Sequence, residues 1–532
     1  MAFRPSVLCT SGSAPAHFLP AIAEAFAACI PLIALTADRP TELHDCGAAQ
    51  TMDQLKLFGG QVRRFFELGE PNESDLSLRA LRRSAAHAVF ATRFPTPGPV
   101  HINVRVRKPL EPFAPVTQQD HQLAQRVADL CQRPLVTAAI PRVVADDTTL
   151  DRIATKLASC ARGIVLAGPI ADARRSLVAP LFELARRLDY PLFAEATSQL
   201  RFNTPEEGRE LLCGGFDRLL QLETFCRDFE PELVLQIGST PTSSSWERFA
   251  GTLAHSEVIV LEEHTWRDPA SRATQHVFGE LEHTVDGLLK RARELPMARS
   301  AARLDYRRGV MHAEGAVWRA TERLFALRPA LCEGAVARSV VEHAPLGSSL
   351  FIGNSLPLRH LDGFCPSSSS RLRVLFQRGL NGIDGSVAGA AGSAQVSPAA
   401  TTLLIGDLTL QHDIGSLALV DGKSDKPFVV VVLQNCGGRI FELLPFARQL
   451  REHEAKAVFA EGCSSFEAAA TLYGARYERV EGERALQQAL RHAYLRPGLT
   501  LIEAVVPPHG AAEDERFIMA ELRAELGLRK AS

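Results

Sequence analysis

The sequence predicts an α/β protein made of three doubly wound parallel-sheet layers in series, and three observations carry that prediction. Short, continuous apolar runs rich in Val, Ile and Leu recur along the chain. They alternate with segments of helical character, and most end in a glycine or polar turn. Continuous rather than alternating apolar strands belong to parallel sheets covered on both faces, and repeated strand–helix alternation places such sheets in an α/β architecture.

In chain order, Ser6-Val-Leu-Cys, Pro31-Leu-Ile-Ala-Leu-Thr and Val100-His-Ile-Asn-Val read as strands of a first layer. Gly163-Ile-Val-Leu-Ala-Gly, Leu233-Val-Leu-Gln-Ile-Gly and Val258-Ile-Val-Leu make a second. Ser349-Leu-Phe-Ile-Gly, Thr402-Leu-Leu-Ile-Gly-Asp, Phe428-Val-Val-Val-Val-Leu and Leu499-Thr-Leu-Ile-Glu-Ala make a third. Two stretches read as linkers: Pro109 to Asp147, rich in Pro, Gln and Asp, and Lys290 to Arg308, a basic, Ala-rich segment expected to be an exposed helix. The resulting domains are residues 1–115, 116–305 and 306–532, a length suited to three or four ordinary domains. The first strand starts almost at Met1, so the reading expects further sequence upstream of it.

Composition narrows the function classes. Apolar residues make up 46% and charged residues 23%, with a net charge of −2, which does not suggest a nucleic-acid groove or an anionic membrane surface. The most apolar long stretch, Ala21 to Ala37, is interrupted by Glu24 and Pro31 and is too short to span a bilayer. The eleven cysteines have no C-x-x-C pair or metal-finger spacing and read as reduced thiols of a cytoplasmic protein, with Cys436 a small apolar filler.

The chemistry concentrates in the third layer. Gly406-Asp407 ends one strand and Asn435 ends the next, with 27 residues between Asp407 and Asn435 and a helix expected from Asp413 to Val420. In a parallel sheet both side chains emerge at the carboxyl edge, where such folds bind ligands. A carboxylate oxygen, an amide oxygen and a nearby backbone carbonyl suit Mg²⁺, which takes oxygen donors and shares them with phosphates. Gly437-Gly438 would let backbone approach such a ligand. A helix-capping Asp and a turn Asn remain the alternative for each residue singly. Upstream, the glycine-rich run from Arg378 to Gly392 enters a helix of small residues whose N-terminal N–H groups could face an anion or only pack closely. Arg39, at a strand end, could pair with a carboxylate or form a surface ion pair.

Taken together these segments resemble the 2-succinyl-5-enolpyruvyl-6-hydroxy-3-cyclohexene-1-carboxylate (SEPHCHC) synthase family, MenD. The pieces are T-S-G-S-A with F-L-P-A-I-A-E-A, L-T-A-D-R-P-T-E-L with D-C-G-A-A-Q, and G-P-V-H-I-N-V. In the third layer they are G-N-S-L-P-L-R, R-G-L-N-G-I-D-G, G-D-L-T-L-Q-H-D-I-G-S-L-A-L and N-C-G-G-R-I-F-E-L-L-P. The resemblance implies a thiamine-diphosphate-enzyme fold of pyrimidine-binding, central and diphosphate-binding domains, working as a homodimer or homotetramer with active sites between subunits. It implies thiamine diphosphate with Mg²⁺ or Mn²⁺, the metal held by Asp407, Asn435 and the Gly437 carbonyl. Gly382, Ile383, Gly406, Asp407, Leu408, Ile440, Phe441 and Leu444 would line the cofactor, Ile383 as the wedge that bends it and the last three as an apolar wall. Arg39, Gln50, Ser355, Arg359 and Arg378 match substrate-contacting positions, with Gln50, Arg359 and Arg378 closest to the reaction. The implied chemistry is decarboxylation of 2-oxoglutarate and addition of the resulting carbanion to isochorismate, in menaquinone biosynthesis.

Two departures from the family pattern matter. Its N-terminal S-P-G-S-R-S segment and the glutamate that activates the cofactor are not in this sequence, and Glu24 lies on the wrong element to replace it. The expectation is a first domain that lacks its start, with these motifs encoded upstream. In the central domain, Gly238-Ser-Thr-Pro-Thr-Ser-Ser244-Ser245 has no basic residue where the family usually has one. The alternatives are a related carboligase with another acceptor and a non-catalytic cofactor-binding remnant. A nicotinamide-dependent oxidoreductase is more distant, because the G-x-G-x-x-G fingerprint is missing.

Overall fold

A computed structural model describes residues 5–111, 114–134, 136–296, 301–328, 330–420 and 424–527. The chain forms two compact units: residues up to Arg142 together with Gln377–Asn381, and Val143–Phe376 together with the residues from Gly382 onward.

The first unit holds a four-stranded sheet of β1 (Ser6–Cys9), β2 (Leu32–Asp38), β3 (Arg64–Glu67) and β4 (Pro99–Arg105), in the order β1-β2-β4-β3 and parallel throughout. Ala88, Ala91, Val100 and Ile102 pack one side; Ile22, Ala34 and Phe58 pack another. A polar chain threads the sheet. Thr36 Oγ1 donates to Asn103 Oδ1 at 2.8 Å and accepts from His101 Nε2 at 2.8 Å, and Asn103 Nδ2 donates to Asp38 Oδ2 at 2.9 Å. Burial pushes the His101 imidazole down to about 4, so it is neutral at pH 7.

The second unit contains two six-stranded parallel sheets. The central one comprises β5 (Gly163–Ala167), β6 (Leu192–Ala194), β7 (Leu212–Cys213), β8 (Leu233–Ile237), β9 (Glu257–Glu262) and β10 (Gln275–Phe278), in the order β10-β9-β8-β5-β6-β7. The other comprises β11 (Ser349–Ile352), β12 (Arg373–Phe376), β13 (Thr401–Gly406), β14 (Pro427–Gln434), β15 (Arg476–Val480) and β16 (Gly498–Val505), in the order β12-β11-β13-β14-β16-β15. Both sheets are covered on both faces, as the unbroken apolar runs predict. In β14, Val429, Val431 and Leu433 enter one core cluster while Phe428, Val430 and Val432 enter another.

Both linker stretches contain helix. The Pro109–Asp147 stretch contains a helix, Gln118–Gln132, started by a reciprocal Thr117–Asp120 capping box. Past Glu294, residues 297–300 lie outside the described residues, and the chain then forms the helix Ala301–Leu327. Over the predicted Lys290–Arg308 stretch its exposure is mixed, with Ala301, Ala302, Asp305 and Arg308 exposed and Arg303 and Tyr306 buried; farther along, Val310, Ala313, Val317 and Leu324 lie in a core shared with Ile518 and Leu522. Its basic residues had masked the apolar stripe, and Arg303 itself is buried, donating to the carbonyls of Leu188 and Ala158.

Candidate active site

The order of the third sheet reverses between β11 and β13, and a ligand crevice is expected at the carboxyl ends of strands flanking such a switch. Register fixes what emerges there. Gly406 pairs with Leu433 in the last rung of β13 and β14, so Asp407 leaves one residue later. Gln434 pairs with Val505, so Asn435 is the first residue past β14.

Asp407 is 5% and Asn435 4% exposed. Asp407 Oδ1 accepts from Leu408 N at 2.7 Å, and Oδ2 accepts from Gly437 N at 2.9 Å, tying the turn after β13 to the turn after β14. Burial pushes the Asp407 carboxyl up to about 6. Asn435 Nδ2 donates to Glu333 Oε1 at 3.1 Å, while Asn435 Oδ1 is buried with no hydrogen-bond partner among the described residues. A buried acceptor left unpaired costs about 1–3 kcal/mol, and a buried carboxylate costs more unless a cation compensates it. A divalent cation accepting both groups relieves both costs, so these residues fit Mg²⁺ with oxygen donors. No group of three or more His, Cys, Asp or Glu suited to a metal occurs among the described residues.

The turn after Asn435 is tightly built. Gly437 has φ +134°, and a Cβ there would lie 2.7 Å from Phe459 O, so only glycine fits. Arg439, 5% exposed, donates to the carbonyls of Asn435 and Cys436 at 3.2 Å each, and to Glu442 and Glu461. This clamp presents the following short helix, Arg439–Leu443. Ile440 is half-buried there, while Phe441 and, just beyond, Leu444 are exposed. Cys436 is not a simple apolar filler. Gly438 N donates to Phe459 O, the returning chain brings Cys463 alongside, and the two cysteines are paired with Cα atoms 4.6 Å apart.

The remaining predicted residues divide between the units. In the second, Ser355 at φ 74° precedes the helix Leu356–Phe364, and exposed Arg359 donates back to Ser355 O at 3.0 Å. Asn354 Nδ2 donates to Gly382 O at 2.7 Å, joining the end of β11 to the segment that carries half-buried Ile383. The helix Ser386–Val396 does not leave its first N–H groups free. Asp413 Oδ2 accepts from Val387 N and Ala388 N, an acidic cap where an anion had been considered. The helix after Gly406 begins at Asp407 itself and runs to His412, followed by a tight 3-10 turn, Ile414–Leu419. In the first unit, Arg39 Nη2 donates to Gln50 Oε1 at 3.3 Å, so the structure brings that pair together. Half-buried Arg378 lies in the same unit, beside Gly379 and Leu380, whose N–H groups donate to Glu24 at 2.7 Å each. Ser245 is buried and accepts from Arg248 Nη2 at 3.3 Å.

Two residues that sequence reasoning missed, Glu333 and His360, stand behind Asn435. A glutamate in the first turn of a helix, as in Leu-Cys-Glu-Gly, ordinarily reads as a solvent-facing acid favoured by the helix dipole, so sequence gives no signal of its burial.

A 2-succinyl-5-enolpyruvyl-6-hydroxy-3-cyclohexene-1-carboxylate synthase of Sorangium cellulosum is 41% identical over 539 aligned positions, spanning 98% of this chain and 86% of that one. The chain belongs to the SEPHCHC synthase family. A member from Myxococcus xanthus is 35% identical over 524 positions, with the same two coverages. Among solved structures, one described as a thiamin diphosphate-dependent enzyme from Mycobacterium smegmatis superposes with a TM-score of 0.62, at 16% identity, over 94% of this chain and 87% of that one. That likeness shows the fold: parallel-sheet α/β domains of the thiamine-diphosphate-enzyme type. No protein-family model matches the chain. No helix among the described residues is long and apolar enough to cross a membrane.

Proposed function

We propose that this SEPHCHC synthase family member decarboxylates 2-oxoglutarate and joins the resulting four-carbon unit to isochorismate, using thiamine diphosphate and Mg²⁺. The observation that carries the reading is the pair Asp407 and Asn435 on adjacent strand ends, one a destabilised carboxylate and the other an open buried oxygen. Asp407, Asn435 and the Gly437 carbonyl hold the metal and, through it, the cofactor diphosphate. Bound thiamine diphosphate supplies an electron sink for the carbanion left when a 2-oxo acid loses CO₂. Gly382, Gly406 and Leu408 would offer it backbone and side-chain surface, and Ile383 would offer it an apolar support. Ile440, Phe441 and Leu444 would give the bound cofactor an apolar wall that limits access of water.

Both substrates are carboxylates, and the arginines suit them. Arg39 with Gln50, Arg378, and Arg359 with Ser355 orient these groups by charge-assisted hydrogen bonds. The enzyme acts in the cytoplasm as a homodimer or homotetramer, which size-exclusion chromatography with light scattering would resolve. The deciding experiment incubates purified protein with thiamine diphosphate, Mg²⁺, 2-oxoglutarate and isochorismate, then follows CO₂ and product mass. CO₂ release with formation of SEPHCHC is expected. CO₂ release that ignores isochorismate would favour a related carboligase with another acceptor, a reading supported by Ser244 and Ser245 standing where a basic residue would meet a carboxylate. No CO₂ release would leave a cofactor-binding protein without turnover.

A further inference from the structure

Asn435 can serve a cation only if its amide is turned the right way, and nothing in an asparagine itself decides that. Turned one way it offers an oxygen; inverted, it offers two N–H donors to a positive charge. The structure contains a device that decides it. Glu333, at the start of the helix Glu333–His343, is 2% exposed. Its Oε1 accepts from Asn435 Nδ2 at 3.1 Å, and its Oε2 accepts from His360 Nε2 at 2.8 Å. An ionised carboxylate only accepts, so it takes the NH₂ end of the amide and sends Oδ1 the opposite way. Oδ1 is buried and has no hydrogen-bond partner among the described residues. His360, 5% exposed, fixes the other carboxylate oxygen and stops Glu333 from swinging away.

We propose that Glu333, held by His360, is a positioning residue that keeps the Asn435 oxygen turned toward the cation site. This rests on the metal reading given above and names residues that act through Asn435 rather than on the metal. Partners of this kind behind metal ligands are typically worth 10–100-fold in metal affinity. The arrangement also separates orientation from charge. A negative charge on Glu333 could draw in a cation without orienting anything.

The experiment titrates Mn²⁺ into the full chain with thiamine diphosphate present and reads free Mn²⁺ by electron paramagnetic resonance, independently of turnover. Glu333→Ala is expected to weaken Mn²⁺ binding by about 10–100-fold. Glu333→Gln, which keeps an acceptor oxygen for the amide but loses the charge, should recover most of that affinity. Asn435→Asp should bind poorly, because two carboxylates then face each other, and adding Glu333→Gln should restore binding, because the glutamine can donate to the new aspartate. Glu333→Ala binding as tightly as the wild type would overturn the proposal. So would Glu333→Gln falling as far as Glu333→Ala, which would assign the effect to charge. If Glu333→Ala does not fold, the Asn435→Asp pair decides, and no recovery in the double variant overturns the proposal. Wild type that takes up no Mn²⁺, or Asn435→Ala that binds as wild type, would instead overturn the metal site itself.

Discussion

Glu314 and Glu333 are both buried carboxylates of the second unit, at 5% and 2% exposure, yet their surroundings differ in kind. Glu314 is saturated by fixed donors: Gly214 N and Gly215 N at 2.9 Å each, the Trp318 indole N–H, and the Cys213 thiol. Every bond ends there, tying the turn after β7 to the helix Ala301–Leu327. Glu333 takes one of its donors from a side chain that has a second, open end. A closed polar knot holds a fold together; a polar chain that ends on an unsatisfied atom marks where something else belongs.

Substitutions can break this distinction. The largest effect is expected at Asp407, where the direct ligand is lost. Asp407→Ala should weaken Mn²⁺ binding by more than about 100-fold, beyond the range for residues behind a ligand, with circular dichroism showing a retained fold. Glu314→Ala should do the reverse. It strands two backbone N–H groups and an indole, and urea denaturation should report a loss of about 3–5 kcal/mol. Mn²⁺ affinity of the protein that remains folded should be unchanged; a parallel loss of affinity would erase the contrast.

The first unit offers a smaller, pH-dependent test. His101 has a folded-state value near 4 against an ordinary 6.5. Between those values the unfolded chain binds the extra proton and the folded chain does not, so stability rises with pH there. About 3 kcal/mol should be lost as pH falls from 6.5 to 4, seen as a shift in urea midpoint. His101→Gln, which does not titrate, should flatten that part of the profile. The smallest stability effect is expected at exposed Gln50, whose contact with Arg39 is a single 3.3 Å bond. Gln50→Ala should change stability by less than about 0.5 kcal/mol while raising KM for a carboxylate substrate. A large stability loss there would make Gln50 structural.

The same logic explains what could be read from the sequence. Most strands buried on both faces were visible as apolar runs, among them Gly163–Ala167, Leu233–Ile237 and Pro427–Gln434. The missed ones are mostly sheet edges: Arg64–Glu67, Leu212–Cys213, Gln275–Phe278, Arg373–Phe376 and Arg476–Val480. An edge strand has one neighbour and tolerates charge, so R-F-F-E or R-Y-E-R-V carries no continuous apolar signal. Leu192–Ala194 is interior but only three residues long. At the candidate site, Asp407 and Asn435 were legible because strand ends in a parallel sheet are places where polar residues matter. Glu333 and His360 were not, since nothing in L-C-E-G or L-R-H-L distinguishes an acid and a base that meet across 27 positions from two surface charges. The Cys436–Cys463 pairing was equally invisible, because it depends on how the turn after β14 folds back.

The short segment Gln377–Asn381 belongs to the first unit although the chain on both sides of it belongs to the second. The units are therefore not modules that a single genetic crossover can exchange. A chimera that imports a homologue's residues 1–142 but keeps this chain's residues 377–381 joins two halves of one packed body from different ancestors. Glu24 is the point of dependence, since both its oxygens are committed to Gly379 and Leu380. Recombination between relatives should then succeed chiefly when the two stretches are inherited together, which makes five residues near position 380 a linkage marker for the first unit.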